Sequence, residues 1–401
     1  NGWKWIPLRV RYDKTHELHN GMPNYGNAYH VANSIWQTIH NPITNIMIKS
    51  GQEIPDEIHN NEGENTYDAD EGVYYNRDSS AVKKTRSLRD FHNLYVKNTL
   101  IKSVSNQKDT LIDYACGKAG DLHKWIYAKL AFVLGIDISK DNIHNRLDGA
   151  CARYLKDKAS FRSMPGALFV NGNSGLNIRD GQAFNTQKDR ELAQAIFGNG
   201  PKDQVLLGKG VYKNYGVAEE GFHVSSCQFA LHYFFENAAS LHNFARNLSE
   251  CTRLNGYFIG CCYDGKTVFK MLQNKEKGEK MTLMENGRKM FEMTKDYHET
   301  GFSDDDTSLG YSIQIFQETI GKTFREYLVN FDYFIDVMET YGFKVLSKEE
   351  ANPLGLPNGS GMFDEMFHSM ETEISSMRAA KHKYKNAPSM TLNEKKVSFL
   401  N

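Results

Sequence analysis

The 401-residue sequence lacks the patterns that mark several familiar protein classes. Its six cysteines form no CxxC pair and no metal-ligand spacing with histidine, which argues against a zinc module and a secreted disulfide framework. No apolar run approaches the roughly 18 residues of a membrane helix, and no signal peptide is present. We therefore expect a soluble intracellular protein with reduced cysteines and no metal site.

An excess of charge of one sign is also missing. The formal net charge is −1, so no bulk positive field attracts nucleic acid, and any RNA contact must depend on local basic patches. Apolar residues make up 40% of the chain, which is enough for a packed core. This length predicts two domains, or one large α/β domain with an appended segment.

The composition changes along the chain and predicts three segments. Residues 1–50 carry aromatic and charged side chains, whereas residues 51–80 are acidic and polar, as is typical of a linker. From residue 81 to 401, strand-like and helix-like patterns alternate. The chain begins without methionine and ends at Val397–Asn401, which has the pattern of a β-strand, so we expect a fragment whose last strand is truncated.

The alternating region predicts a mainly parallel sheet with helices on both faces, and such sheets bind ligands at the carboxyl ends of their strands. The predicted strands are Thr110–Tyr114, Ala131–Ile136, Ala167–Val170, Phe222–Ser226 and Gly256–Cys261. The predicted helices are Lys118–Ala128, Lys140–Lys156, Lys188–Phe197 and Ala238–Arg253, with Ser139 capping the second. We interpret the charged stretch 274–306 as a solvated loop.

The turn after the first predicted strand has the pattern of a site for an adenosine-containing cofactor. Three small residues leave no bulk there: Ala115, Gly117 and Gly120. Backbone N–H groups and the next helix can therefore approach a polar ligand closely. Asp137, at the end of the second strand, is placed to accept hydrogen bonds from ribose hydroxyls. The glycine pattern alone does not separate such a site from a tight connection.

Three further segments carry polar or aromatic side chains toward the same edge. Asn93 and Lys97 lie four positions apart on one helix face, the run after the fourth strand contains His232, and Glu326 begins an apolar run. Each has a structural alternative, namely a solvated helix face, a hydrogen-bonded core histidine or a paired carboxylate.

The joint order of these motifs resembles one family. The series FHNxxxK, LIDxACGKxGDLxKW, GIDIS, SCQFxxHY, GYFIG and EYLVxF is similar to the mRNA cap guanine-N7 methyltransferases, especially the methyltransferase part of capping enzymes from large DNA viruses. The similarity runs from about Lys83 to the C-terminus. It implies a Rossmann-like class I fold with a seven-stranded sheet, S-adenosylmethionine as cofactor, and methyl transfer to the guanine N7 of capped RNA.

The resemblance also implies roles for individual residues. On the cofactor side, Lys97 would pair with the carboxylate of the methionine part and Asp137 would bind the ribose. The other implied cofactor residues are Asp113, Gly117, Asp121, Asn173 and Gln228. Asn173 stands where the family usually has an acid that faces adenine. Asp113 would bind the amino group.

On the cap side, the family's pattern implies that four residues hold guanine: Phe229, His232, Tyr233 and Glu326. Glu326, His232 and Tyr233 would be the catalytic residues, without a general base. Candidates for the cap ribose and phosphates are Asn93, Lys83, Lys84, Arg86 and Arg89, although such a basic run is also typical of a solvated face.

The sequence departs from the family at three places. Ala115 and Ala119 replace usual glycines, so the turn must avoid positive φ at these positions or accept strain. Tyr263 stands where cellular members often have proline. Any aromatic residue that the family supplies from beyond Asn401 is absent from this sequence, and we expect weaker cap binding as a result.

The N-terminus resembles a second family. Trp5–Lys14 is similar to the last motif of the capping guanylyltransferases, which implies that Arg9, Arg11 and Lys14 meet phosphates in the parent protein. The family's nucleophilic motif, KxDG, is absent, so we predict no guanylyltransferase activity. Residues 1–50 would be the C-terminal remnant of an upstream OB-type guanylyltransferase domain.

The same resemblance implies a stimulatory capping subunit as a candidate partner, and a location in the host cytoplasm, in viral factories, or in the virion. Four alternatives stay open from the residues alone: a methyltransferase for a small molecule or protein, a non-catalytic capping subunit, a dehydrogenase, and a 2′-O-methyltransferase. The last two are disfavoured, because we find neither a hydride-handling pattern nor an activating lysine network.

Overall fold

The computed structural model describes residues 12–21, 85–318, 322–376 and 380–401, in two compact units, Asn1–Ala69 and Asp70–Asn401. In the first unit it describes helix α1 (Tyr12–His19), where the Lys14 ammonium pairs with Glu17 at 2.6 Å. Several predictions lie outside the described residues: the phosphate contacts of Arg9 and Arg11, the linker 51–80, and the roles of Lys83 and Lys84.

The second unit is built on a parallel sheet of five strands in the order β3-β2-β1-β4-β5. The strands are β1 (Thr110–Asp113), β2 (Phe132–Asp137), β3 (Gly166–Asn171), β4 (Phe222–Gln228) and β5 (Thr252–Cys261). Side chains alternate between the two faces, so Leu111 packs with Val133 on one side and Ile112 with Leu134 on the other. The order reverses between β1 and β4, where open α/β sheets bind ligands.

Helices cover both faces of this sheet. One face packs against α3 (Lys97–Val104), α4 (Leu122–Tyr127), α5 (Lys140–His144) and α6 (Ala150–Lys158), which follow α2 (Arg86–Asp90) and a π-helical turn, Phe91–Val96. The other packs against α7 (Gln187–Ile196), α9 (Ala238–Cys251) and α11 (Phe331–Thr340), with α8 (Gln204–Lys213) following α7. The predicted doubly covered α/β architecture is confirmed.

Two predicted helices differ from those observed. The helix predicted from Lys118 starts only at Leu122, because Gly117 and Ala119 have left-handed backbone angles that end any regular helix. The helix predicted over Lys140–Lys156 is interrupted between α5 and α6. Ser139 caps α5 as predicted, through a hydrogen bond from Asn142 N–H.

A second, antiparallel sheet overturns the prediction of a solvated loop over 274–306. Its strands are β6 (Lys280–Glu285), β7 (Arg288–Lys295), β8 (Ser312–Gln317) and β9 (Thr323–Tyr327), and α10 (Gly265–Leu272) precedes them. Leu283 and Met293 pack in its core, so this charged stretch contains ordered strands whose apolar side chains are covered. The predicted seven-stranded sheet is not found among the described residues, which form sheets of five and four strands.

The C-terminal region is helical, so the prediction of a strand at Val397–Asn401 is wrong. Its helices are α12 (Lys348–Ala351), α13 (Phe363–Ser376), α14 (Ala380–Lys383) and α15 (Leu392–Ser398). Thr391 and Glu394 form a capping box that starts α15, a signal the β-like composition of the last residues concealed. Phe363 and Phe367 of α13 pack on Phe91, which joins the C-terminal helices to the start of the unit.

Candidate functional site

The turn after β1 brings backbone donors to the carboxyl edge of the sheet. Gly117 and Ala119 both have φ of +53°, and Gly117 N–H donates a hydrogen bond of 2.7 Å to Asp137 Oδ2. A left-handed conformation costs a residue with a Cβ about 1–2 kcal/mol. The turn therefore accepts strain at Ala119, one of the two outcomes expected from the sequence.

Asp137 ends β2 and is already held by the protein. Besides Gly117, Ser139 N–H donates to its Oδ1 at 2.9 Å and the Asn142 amide donates at 3.0 Å. Burial raises the pKa of Asp137, and these three hydrogen bonds oppose that rise. A carboxylate accepts about four hydrogen bonds, so one position is left for a ligand hydroxyl.

Asp121 lies at the centre of a buried charge network. Its carboxylate pairs with Lys97 at 3.3 Å and with Lys124 at 2.7 Å. Burial would raise the pKa of Asp121, but the two ammonium groups outweigh it and hold the pKa at about 2. The network fixes Lys97 at the turn, where its ammonium can meet an anionic group.

Asp113 ends β1 and is buried beside this network. It accepts a hydrogen bond of 3.2 Å from Ala115 N–H. Burial and then the charge of Asp121 raise the pKa of Asp113 to about 7. A cationic ligand group beside Asp113 would restore its charge, so the turn offers Lys97 to an anion and Asp113 to a cation. That pairing suits the zwitterionic end of an amino acid.

Asn173 lies two residues after β3 and Gln228 is the last residue of β4, so both lie at the carboxyl edge of the sheet. The Asn173 side-chain oxygen accepts a hydrogen bond of 2.8 Å from Gly175 N–H, which leaves one lone pair for a ligand donor. The buried Gln228 side chain accepts from the Cys261 thiol at 3.1 Å and donates to Ser226. Both side chains are therefore oriented by the protein.

A second group of residues adjoins the turn. Phe229 follows β4 with φ of +59°, an uncommon conformation for a bulky residue. The Lys97 ammonium lies 5.4 Å from the centroid of the Phe229 ring. Lys97, which is predicted to bind the cofactor, and Phe229, which is predicted to bind the cap, are thus neighbours.

His232 and Glu326 meet in this second group. His232 Nδ1 lies 3.7 Å from Glu326 Oε2, and both side chains are buried. Within the described part of the chain, neither ring nitrogen of His232 nor Glu326 Oε2 has a hydrogen-bond partner. Burial lowers the pKa of His232 to about 3 and raises that of Glu326 to about 8. Unsatisfied buried polar groups cost about 1–3 kcal/mol each, which favours a polar ligand here.

Tyr233 contributes an exposed aromatic surface next to this pair. Its ring centroid lies 4.2 Å from that of His232, and 38% of its surface is accessible. Its position beside two buried polar groups suits contact with a flat ligand.

Asn93, Arg86 and Arg89 lie in the helical segment that leads to Lys97. The Asn93 amide donates a hydrogen bond of 3.0 Å to the Arg89 carbonyl, so it serves its own helix. Arg86 is exposed on α2 and Arg89 is partly so. The roles of these three residues toward a cap stay predictions.

Sequence reasoning missed three supporting residues. Lys124 completes the network of Asp121, Asn142 orients Asp137, and buried Lys118 pairs with Asp148 at 2.8 Å, which ties the turn to the segment before α6. Lys124 could have been found, because it lies three positions after Asp121 on one helix face. The Lys118 and Asn142 contacts depend on how the turn and α5 meet, which no local spacing encodes.

Within the described ranges, no helix combines the length and apolar character needed to cross a bilayer. The same ranges contain no group of three or more histidine, cysteine or acidic side chains suited to a metal ion.

Comparisons with known proteins indicate the family of this chain. The profile of the mRNA (guanine-N(7))-methyltransferase domain matches residues 57–395. A probable mRNA-capping enzyme of Acanthamoeba polyphaga mimivirus is 29% identical over 346 residues, which are 82% of this chain and 27% of that protein. The mRNA cap guanine-N(7) methyltransferase 1 of Arabidopsis thaliana is 27% identical over 203 residues, covering 50% of this chain and 44% of the plant protein.

The chain therefore spans about a quarter to under a half of these relatives. Among solved structures, an S-adenosylmethionine-dependent methyltransferase from Clostridium acetobutylicum is 10% identical, with a TM-score of 0.36, over 65% of this chain and 84% of that one. The profile match confirms the family resemblance drawn from the motifs.

Proposed function

We propose that this chain, which belongs to the mRNA (guanine-N(7))-methyltransferase domain family, transfers a methyl group from S-adenosylmethionine to N7 of the mRNA cap guanine. The observation that carries the proposal is the buried pair of His232 and Glu326, in which His232 lies three residues after Phe229, whose ring is 5.4 Å from the Lys97 ammonium. Guanine presents both donors and acceptors along one edge, so it can satisfy a carboxylate and an imidazole together.

The turn residues fit the cofactor. When bound, S-adenosylmethionine supplies a methyl group activated by a sulfonium, whose sulfur keeps the electron pair of the broken carbon–sulfur bond. Lys97 would pair with its carboxylate, Asp113 with its ammonium, and Asp137 with a ribose hydroxyl. The raised pKa of Asp113 supports this fit, because an ammonium group of the ligand would offset the burial and the charge of Asp121 that raise it. Asn173 would face adenine, and Gln228 would lie alongside.

The reaction needs no general base from the chain. Guanine N7 carries a free lone pair at neutral pH, so bond formation removes no proton. His232 is neutral at pH 7, because burial lowers its pKa to about 3, and it serves as a hydrogen-bonding partner. Glu326 would accept hydrogen bonds from the guanine N1–H and amino group as a carboxylate. Since methylation places positive charge on the ring, that carboxylate stabilises the transition state more than the ground state.

The substrate of the proposed reaction would be the GpppN end of RNA. Phe229 and Tyr233 would line the guanine pocket. Three residues would lie near the ribose and phosphates: Asn93, Arg86 and Arg89. Residues 1–50 would be the remnant of an upstream guanylyltransferase domain, and 51–80 a linker to a methyltransferase domain at 81–401. A stimulatory subunit and a cytoplasmic or virion location are further expectations.

Two measurements test the proposal. Purified protein should methylate GpppA-capped RNA in the presence of S-adenosylmethionine, and should leave uncapped RNA and a panel of small-molecule and protein acceptors unmodified. Titration with S-adenosylhomocysteine should give a defined affinity, and a cap analogue should bind to the same protein. Methylation of another acceptor in place of the cap would refute the substrate assignment, and binding of neither ligand would refute both halves of the site.

A further inference from the structure

His92 lies in the π-helical turn and contacts Phe229. The two rings stack with centroids 5.1 Å apart and planes at 23°, and Phe363 packs edge-on against both rings. A π-helical turn inside an α-helix is rare and is frequently found at functional sites. Here it places His92 five positions before Lys97, so one helix carries both a stacking partner of Phe229 and the cation above its ring.

The His92 ring is anchored to the C-terminal helix. His92 Nε2 lies 2.9 Å from the buried hydroxyl of Ser398 in α15. The same region is tied to the sheet, because the carbonyl of Leu400 accepts a hydrogen bond of 2.7 Å from Asp264 N–H. Asp264 lies three residues after the end of β5. The anchor is therefore fixed to the framework that carries the site.

His92 is uncharged in this setting. Burial, and then the charge of Lys97, lower its pKa to about 3. A neutral imidazole offers a flat aromatic face together with a hydrogen-bonding edge, whereas an imidazolium would repel the Lys97 ammonium. Phenylalanine could supply the face alone, and asparagine an edge alone. Substitution of His92 by phenylalanine or asparagine therefore measures the contributions of the aromatic face and of the hydrogen-bonding edge separately.

Phe229 needs such support because of its own conformation. With φ of +59°, its backbone is in a region that costs a bulky residue about 1–3 kcal/mol and persists only when the surroundings hold it. Along the chain Phe229 lies between Gln228, proposed to lie beside the cofactor, and His232, proposed to contact guanine, and its ring lies 5.4 Å from the Lys97 ammonium. Small movements of the Phe229 ring would therefore disturb both halves of the site.

We propose that His92 is a positioning residue: its imidazole, anchored by Ser398, holds the Phe229 ring in place where the cofactor and guanine pockets meet. The inference rests on the proposed function and extends it, because it makes the C-terminal helix part of the methyltransferase site. His92 contacts neither ligand in this account. It acts through Phe229 alone.

Variants of His92 separate the stack from the anchor. His92→Ala should raise the dissociation constant for a cap analogue, and lower kcat/KM, about three- to tenfold, because an aromatic pair contributes about 0.5–1.5 kcal/mol. His92→Phe should restore most of that loss, whereas His92→Asn should not. Ser398→Ala should give an intermediate effect. The matched control is His242→Ala, which changes an exposed histidine on helix α9. Binding is measured by calorimetry and thermal melting is followed in parallel.

Three results would overturn the inference. His92→Ala with wild-type cap affinity and kcat/KM would remove His92 from the site. His92→Phe as impaired as His92→Ala would rule out stacking as its role, and an unaffected Ser398→Ala would rule out the anchor. His92→Phe and Ser398→Ala keep the test open should the alanine variant fail to fold. Wild-type protein that neither binds the cap analogue nor methylates capped RNA would refute the proposed function itself.

Discussion

The proposed site has a cofactor half, around Asp121 and Asp137, and a guanine half, around His232 and Glu326. The two halves differ in whether their buried polar groups have partners within the protein. In the cofactor half, Asp121 is paired with two lysines and Asp137 accepts three hydrogen bonds from the protein. In the proposed guanine half, both ring nitrogens of His232 and the Oε2 atom of Glu326 are buried without a hydrogen-bond partner among the described residues. The first half is organised before any ligand arrives. The second contains polar atoms whose partners a ligand must supply.

This difference has an energetic consequence. A pre-organised pocket binds with little rearrangement of its own side chains, so its affinity depends on the few charges that face the ligand. A pocket with unsatisfied groups is destabilised while empty, and the ligand that satisfies those groups regains that energy. Specificity for guanine is therefore expected to come mainly from the second half, since analogues without its donors would leave Glu326 unpaired.

The largest expected effect comes from the unsatisfied half. Glu326→Gln should lower kcat/KM about 10²-fold or more, because the amide cannot stabilise the charge that develops on guanine. Steady-state methylation of capped RNA measures this loss, and S-adenosylhomocysteine binding should stay near wild type. Wild-type turnover in this variant would remove Glu326 from the mechanism.

A stability measurement excludes unfolding as the cause. The pKa of Glu326 is about 8 in the folded protein, above its ordinary value of 4.5. Burial of the neutral acid therefore favours folding below pH 4.5, and this contribution is lost as the pH rises through 8. Glu326→Gln should melt no lower than wild type at pH 8, and the gap between the two should close toward pH 5. A variant that melts well below wild type at pH 8 would contradict this account.

The organised half predicts a smaller loss, in binding. Lys97→Met should weaken S-adenosylhomocysteine binding roughly ten- to hundredfold, the range for a hydrogen bond to a charged group. Lys124 remains to pair with Asp121, which limits damage to the fold. Lys102→Met, on the exposed side of the same helix α3, is the matched control. Equal affinities for the two variants would show that Lys97 does not meet the cofactor.

The pH dependence of cap binding tests whether Glu326 loses a proton when guanine binds. The empty site holds Glu326 protonated below pH 8, and guanine requires the carboxylate, so binding must release a proton. Cap-analogue affinity should rise with pH, up to about tenfold per pH unit between 6 and 8, and then level off. His232 stays neutral throughout that range. Calorimetry should show that the cap-analogue affinity of Glu326→Gln does not change with pH. If the affinity of this variant rose with pH as in wild type, another group would be responsible.

The sequence predicted the organised half better than the rest of the molecule. Local patterns predicted Asp113 and Asp137 at strand ends and Gly117 in the turn between strand and helix, since the alternation of strands and helices decides which residues reach that edge. The resemblance to the family predicts that His232 and Glu326 share one pocket. In the structure His232 Nδ1 and Glu326 Oε2 are 3.7 Å apart. Pattern alone could not have predicted this pairing, because Glu326 lies on the second sheet.

The errors have a common physical source. The charge of the stretch 274–306 favours a loop, yet every second residue of β6 is shielded and Met281 and Leu283 pack in the core of the second sheet. The apolar content of Val397–Asn401 favours a strand, yet the capping box at Thr391 starts a helix. In both cases the period of the pattern, and not the composition, carried the information.

The smallest expected effect tests whether strain belongs to the organised half. Ala119 has φ of +53°, whereas Ala115, in the same turn, does not have a positive φ. Ala119→Gly relieves about 1–2 kcal/mol of left-handed strain, but it removes a buried methyl worth about 1 kcal/mol. Both changes lose about 0.5–1 kcal/mol through chain entropy, and Ala115→Gly brings no relief of strain. Ala119→Gly should therefore unfold at higher denaturant than Ala115→Gly, and the reverse order would mean that the Ala119 methyl, through its packing, outweighs the backbone strain.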